Sequence, residues 1–566
     1  MMPISPRLFV PLALVLACSS GGGGSGTDTG AQPTSVTDAA TGPGSGAGES
    51  TTEPAPTTSA GGSDTGGDTS TGPGAPKLDV GVDTGDTGPI GSACQQAEQT
   101  QSNQGCLFWA VDLPNAWQVQ ASPAPEDQTY AIVAANTADA PVAVAVFAGA
   151  EQVPLESATI PANALHVFAF DNALGTKNRE SSTGTAYRLE SDLPVTVYQF
   201  NPLDNSTEVF SNDASLLFPA HVLDRDYTAV TGDGTRLGFP MDFNAGAFVT
   251  IVADQDDTTV DIYPTPGVPI YPSATKVNLM RGQTYTLMSN AVMSLFQNEA
   301  GQGNLSGTRV AADKPVAVFS GNVASFEPTP QSGCCADHLE HQMLPLSAWG
   351  DAYAVISAPP NSGGGDDPVR VRLTGSFDGT SLTYSPAAPP GAPTTLDAYE
   401  TVAFTADASF IVAGDRPFAV TEFLLSNEVV TVDPTPEDDA DNVGFVGDPA
   451  MILVPPLAQF QGEYVFLTPA EYDTHYVTVI RPAGAEVALD GADVTVDGGW
   501  QPLGSHDGVA WERAHFALEF GPHRVRAGGD ARVGIIVVGY DVAVSYGYAG
   551  GSGVEFIGTV PLPPPR

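Results

Sequence analysis

Short segments in which hydrophobic and polar side chains alternate, punctuated by Gly, Pro and Asp, recur from residue 94 to about residue 550. TYAIVAAN at 129–136, FVTIVAD at 248–254, TTVDIYP at 258–264 and YVTVIRP at 476–482 show the pattern. A period of two residues, rich in Val, Thr, Tyr and Phe, marks strands with one buried face. No long 3.6-residue periodicity competes with it, so the pattern predicts an all-β fold.

The alternation is itself repeated. SDLPVTVYQF from Ser191, ADKPVAVFSG from Ala312, GDRPFAVTEF from Gly414 and GDARVGIIVV from Gly529 align. Their aspartates, Asp192, Asp313, Asp415 and Asp530, recur at about 100 to 120 residues, a domain-sized period. In this motif Asp starts a turn, Pro stiffens a strand position that needs no ladder donor, and alternating Val or Phe buries one face. The fourth copy has Arg532 in place of proline, so its strand entry is expected to differ.

A strand pair precedes each copy. After the first three come an acidic residue, a proline and a tyrosine eight residues beyond that proline: Asp213, Pro219 and Tyr227; Asp337, Pro345 and Tyr353; Asp448, Pro456 and Tyr464. The fourth unit ends instead in VSYGYAGG, as a terminal repeat does. These regularities predict four tandem antiparallel β-sandwich-like repeats of about 110 residues, with closure into a propeller-like ring as the alternative. The expected bounds are 113–235, 236–360, 361–470 and 471–550, followed by a C-terminal tail at 551–566.

The N-terminus has a different texture. MMPISPRLFVPLALVLAC carries one early positive charge, Arg7, and an apolar run from Leu8 to Ala17 that ends at Cys18. The run is too short to span a bilayer, which needs about 20 apolar residues, and reads as a signal peptide at 1–17. Val15, Leu16 and Ala17 before Cys18 resemble a bacterial lipobox, so Cys18 is the expected lipidation site and the membrane the expected first partner. Residues 18–92 are mostly Gly, Ser, Thr, Asp, Pro and Ala, with no aromatic residue and Lys77 as the one base, and cannot bury a core. As a flexible coil of about 74 residues the segment reaches on the order of 50 Å, a disordered stalk. Ser19 and Ser20 lack the aspartate associated with inner-membrane retention, so the expected location is the outer membrane, facing outward.

Charge narrows the partners. The 566 residues carry 65 acidic and 20 basic side chains, a formal charge of −45. Such a chain repels phosphate and excludes nucleic acid as a ligand, while its field favours solubility and cationic or basic partners.

The run GTRVAADKPVAVFSGNVASFEP and the CCADHLEHQMLPLSAWGDAYAV that follows, within 307–355, resemble the N-terminal domain family of IgG Fc-binding protein. Asp-Lys-Pro-Val-Ala-Val, the Asp337-His338-Leu339 run leading to Gln342 and Pro345, Trp349-Gly350 with Tyr353, and GCLFWAVDLPN after Cys94 carry the likeness. It covers roughly residues 94 to 550 and departs from the family pattern in having two adjacent cysteines, Cys334 and Cys335. The resemblance implies a non-enzymatic binding or adhesive module.

Candidate chemistry concentrates in one place. Apart from Cys18, four cysteines remain: Cys94, Cys106, Cys334 and Cys335. Local pairs, Cys94 with Cys106 and a vicinal Cys334–Cys335, or cross-pairing between the two groups are all open. The segment 334–341 adds His and acidic residues that the other repeats lack here, making Asp337, His338, Glu340 and His341 the candidate ligand-binding residues. A zinc site is conceivable, but HLEH is not a zinc-hydrolase spacing and an exported compartment oxidises cysteines, so a loop organising the junction between repeats is the favoured reading and the metal stays open. Asp254, Asp256 and Asp257, then Asp366 and Asp367, and then 437–441, lack a calcium-loop spacing and read as solvated turns. No nucleophile elbow or phosphate loop occurs, and no cofactor or catalytic residue is assigned. The expected function is a cell-surface lipoprotein binding glycans or proteins, with a polysaccharide hydrolase or a purely structural envelope component as alternatives.

Overall fold

The computed structural model describes residues 93–555 apart from 101, 117–123, 172–173, 175–182, 204–210, 238–242, 291–302, 329–335, 362–364, 427–445, 471, 495–498 and 542–543. The expected signal peptide, Cys18, the stalk, Cys334, Cys335 and most of the tail lie outside the described residues.

Each repeat is two antiparallel sheets that share one bent strand. In the first repeat that strand is Tyr187–Asn201. Its first half pairs with Val142–Ala148 and with the entry strand Gly105–Ala110. Its second half pairs with Tyr130–Ala135 and with Asp213–Leu217. The second repeat uses Arg309–Ser325 in the same way, between Thr258–Tyr263 and Asp224–Thr228 in one sheet and Ala247–Ala253 and Asp337–Gln342 in the other. In the third and fourth the strand breaks at its bend, into Phe410–Gly414 and Phe418–Phe423, then Gly521–Ala527 and Gly534–Asp541.

The recurring aspartate explains the bend. Oδ1 of Asp192, Asp313 and Asp415 accepts the backbone N–H of Ala143, Thr259 and Ser381, each at 2.8 Å. The strand can thus leave one ladder for the other while the neighbouring strand keeps its first donor satisfied. Beyond the bend the apolar positions turn inward: Val195 and Val197, Val316 and Val318, Phe418 and Val420 are all fully buried. Where Arg532 replaces proline, the break spans 528–533 rather than 415–417.

The proline and tyrosine motif joins one repeat to the next. Pro219, Pro345 and Pro456 each cap a single 3₁₀ turn, Ala220–Val222, Leu346–Ala348 and Leu457–Gln459. The tyrosine that follows pins the turn. The hydroxyls of Tyr227, Tyr353 and Tyr464 accept N–H bonds from Asp224, Gly350 and Gln461 at 3.0, 2.9 and 2.9 Å. Each donates to a carbonyl just past the bend, of Val316, Phe418 and Val533. Because each tyrosine sits on an entry strand that packs in the downstream unit, the sheets group as 105–217, 224–342, 352–453 and 463–549. Every seam therefore lies upstream of the boundary expected from the repeats in sequence.

The sandwich and the ring turn out to be compatible. The last strands of the four repeats, Asp213–Leu217, Asp337–Gln342, Met451–Leu453 and Val544–Ala549, lie against one another in that order, and the fourth returns to the first. These are the hub strands of a closed ring. The closing seam is aromatic: Tyr198 packs on Tyr548 at 4.9 Å, and its hydroxyl donates to Gly550 O at 2.7 Å. Beside it Asn103 N donates to Ser552 O at 2.9 Å. Helix Ala93–Thr100 is tied to the first entry strand by a Cys94–Cys106 disulfide, the local pairing.

Candidate functional site

The four candidate residues, Asp337, His338, Glu340 and His341, occupy a hub strand rather than a loop, and each is at most 1% exposed. Sequence expectation of a junction-organising segment meets a strand covered on both faces, because the ring encloses what a lone sandwich would leave at its edge. In an extended strand, side chains three apart point to opposite faces. His338 and His341 therefore cannot hold one ion together, and among the described residues no group of three or more His, Cys, Asp or Glu is placed to hold a metal.

What this strand does is stitch repeats. Asp213 Oδ2 accepts N–H bonds from Glu340 at 3.0 Å and Met451 at 3.1 Å, while its Oδ1 accepts from Ala214 at 2.8 Å. One carboxyl of the first repeat thereby binds backbone of the second and third. Asp337 Oδ1 accepts from Asn212 at 2.8 Å and from His338 at 2.7 Å, and its Oδ2 from Ser545 at 3.4 Å. The second repeat is joined in this way to the first and the fourth. Ser545 also accepts, through Oγ, the N–H of Asp448 at 2.8 Å. The three acidic residues that recur in the sequence thus converge at the centre.

Burial controls their charge. Removal from water raises the Asp213 carboxyl well above the usual carboxylate range, and raises Asp337 likewise, with Asp448 and Asp213 pushing it further. Burial lifts Glu340 to about 8, against the bonds from Gln199 Nε2 at 3.0 Å and Asn201 Nδ2 at 3.3 Å. The same burial lowers His338 to about 3 and His341 to about 4. Glu340 Oε2 and His338 Nε2 lie 3.2 Å apart, and burial disfavours the charged form of both. Phe248 stacks on that ring at 6.0 Å.

Sequence reading missed three members of this network. Gln199, Ser320 and Glu422 occupy one column of the aligned bent strands. Gln199 Oε1 accepts Val111 N–H at 3.1 Å, Ser320 Oγ donates to Val230 O at 2.6 Å, and Glu422 Oε1 accepts Ile356 N–H at 2.8 Å. Each serves the backbone just past an entry strand. The signal was available as a polar residue in the same register of the aligned strands. Buried Glu422 is raised to about 8. The seam between the second and third repeats holds another buried acid, Glu327, raised by burial to about 7 and paired with Arg372 at 2.7 Å. Of the acidic clusters, 437–441 lies outside the described residues; Asp254 Oδ1 accepts from Trp109 Nε1 of the first repeat at 2.8 Å, Asp256 Oδ1 from Arg281 N at 3.0 Å, and Asp366 pairs with Arg513 and His515 of the fourth repeat.

Residues 213–539 match the family described as IgGFc binding protein, a span of more than half the chain that begins on the first hub strand. The chain belongs to that family. It is similar to human IgGFc-binding protein, with 23% identity over 368 residues that cover 64% of this chain and 6% of the human one. The match to this family therefore concerns a small part of the human protein. Within the family span lie the second and third repeats whole, and with them all of the hub acids described above.

Proposed function

We propose that this family member is a non-enzymatic bacterial surface module that binds an extracellular protein or glycan, held at the outer membrane by a lipid on Cys18 and projected by the stalk at 18–92. Family membership supports a protein-binding role. The observation that carries the reading is how the titratable groups are spent. Asp213, Asp337, Glu340, Glu422 and the two histidines satisfy backbone and each other inside the hub, away from solvent. The ring's seams and outer loops are left as the working surface. The acidic net charge favours a neutral or basic partner over an anionic one.

The test uses the full-length chain, presented to immobilised immunoglobulin Fc, mucin, a glycan array and the cells' own envelope material. Specific, saturable binding to one of these is expected, and failure to bind any of them removes the reading. Tethering is tested separately by labelled palmitate, which is expected to enter the wild type and not the Cys18→Ser variant.

A further inference from the structure

At the seam between the second and third repeats lies a cleft of about 370 Å³. The second repeat contributes Tyr263, Pro266 and Arg309, and the third contributes Asp397, Tyr399 and Glu400. The guanidinium of Arg309 lies between two rings, 5.9 Å from the centroid of Tyr263 and 5.8 Å from that of Tyr399. This side chain is only 9% exposed, and it pairs through Nη2 with Asp226. Its Nε and Nη1 are buried with no hydrogen-bond acceptor. Leaving such donors unmade costs about 1–3 kcal/mol each, and ring faces recover only part of that.

A second feature points to the same place. Tyr399 holds φ at +63°, the left-handed region that a bulky side chain rarely adopts. The surrounding chain is arranged to keep it there. Tyr399 N donates to Gly375 O at 2.8 Å, Ala398 N to Asp378 Oδ1 at 3.1 Å, and Asp397 N to Glu400 Oε2 at 2.8 Å. Across the seam Gly307, at φ +88°, approaches so closely that a Cβ there would lie 2.5 Å from Tyr399 O. Backbone strain held in place by its surroundings is characteristic of ligand clamps.

The mixture of charges selects the ligand. An acidic ligand meets Asp397 and Glu400, a basic one meets Arg309, and a purely apolar one would bury carboxylates. A hydroxyl can donate to a carboxylate and accept from a guanidinium. The ring of Tyr263, 38% exposed, offers a flat face at the rim. We propose that this cleft binds a neutral glycan, with a pyranose ring stacked on the exposed face of Tyr263 and its hydroxyls held by Asp397 and Glu400 beside Arg309. The proposal rests on the reading of the chain as a binding module and names the ligand of one seam.

Calorimetric titration of the full-length chain with cellohexaose, maltohexaose, laminarihexaose and mannohexaose tests it, with hexagalacturonate and hexalysine as charged probes. At least one neutral hexasaccharide is expected to bind, and Tyr263→Ala to weaken it by about tenfold, the worth of one aromatic stacking contact. Asp397→Asn is expected to weaken it less, and neither variant to move the melting temperature. Undiminished binding by Tyr263→Ala overturns the assignment, as does binding of either charged probe in place of the neutral ones. If the chain binds mucin, Fc or envelope material but no neutral hexasaccharide, the cleft assignment fails while the binding-module reading stands. If it binds nothing, both fall.

Discussion

The hub and the cleft use the same residue types, carboxylates, aromatic rings and an occasional cationic or imidazole side chain, to opposite ends. At the hub the carboxyls of Asp213 and Asp337 accept backbone N–H bonds from other repeats, so their bonding capacity is spent on the fold. In the cleft, two guanidinium nitrogens of Arg309 are left over and a tyrosine ring stands partly in water. The difference follows from position. Hub strands are covered on both faces by ring closure, so an unmet polar group there has no recourse to solvent. A seam at the rim is bounded by loops, where strain and unmet donors can be tolerated and a ligand can enter.

Substitutions can break this contrast. The largest effect is expected from Asp213→Ala, which strips acceptors from three buried N–H groups in three repeats. Chemical denaturation should show a loss of roughly 3–5 kcal/mol, and a loss under about 1 kcal/mol would mean the hub is not a stitched unit.

Next comes pH. Glu340 and Glu422, at about 8, and Glu327, at about 7, are raised from ordinary carboxylate values, so they favour the folded state fully below pH 4.5 and lose that contribution as pH climbs through 7 to 8. His338 and His341, lowered to about 3 and 4, act in the other sense: their contribution is present above pH 6.5 and is lost as pH falls through 4 to 3. Because three carboxyls outweigh two histidines between pH 4.5 and 6.5, stability is expected to be greatest near pH 4.5 and to fall on both sides. Each unmatched proton is worth about 1.4 kcal/mol per pH unit. Glu340→Gln should flatten the alkaline limb by one proton's worth, measured as denaturation midpoints from pH 5 to 9, whereas variants in the cleft should leave the limb unchanged.

A smaller effect is expected for Tyr353→Phe, which loses one hydroxyl that accepts from Gly350 N and donates to Phe418 O. About 1–2 kcal/mol is predicted, similar for Tyr227→Phe and Tyr464→Phe if the three corners are equivalent. The smallest is Tyr263→Ala, within about 0.5 kcal/mol of wild type on unfolding because the ring is a rim residue. A larger destabilisation would make the tyrosine part of the seam's packing and blur the distinction between hub and cleft.

Much of the fold was legible along the chain. The Asp-x-Pro strands and the proline and tyrosine spacing were legible as repeats because they are short patterns in sequence, whereas the bends and joints they build rest on partners 34 to 89 positions away. The seams were displaced because an entry strand precedes the unit it serves, and alternation says nothing about which sheet a strand joins. Asp337, His338, Glu340 and His341 stood out as a departure from the other repeats, yet their surroundings did not: a run of polar residues reads as exposed until closure of the ring covers it. Gln199 and Glu422 were passed over for the converse reason, each being one polar position beside a phenylalanine near the end of a strand.

By itself, the sequence determined the strand texture, the fourfold repetition and the family, since these depend on short-range patterns of side-chain size and polarity. Only the tertiary structure decided that four sandwiches close into a ring, that Asp213 and Asp337 are buried acids rather than surface ligands, and that Tyr263, Arg309 and Tyr399 meet at one cleft. Those outcomes depend on contacts between residues dozens to hundreds of positions apart, and burial, which sets both the charge of a carboxyl and its bonding partners, is a property of the packed whole.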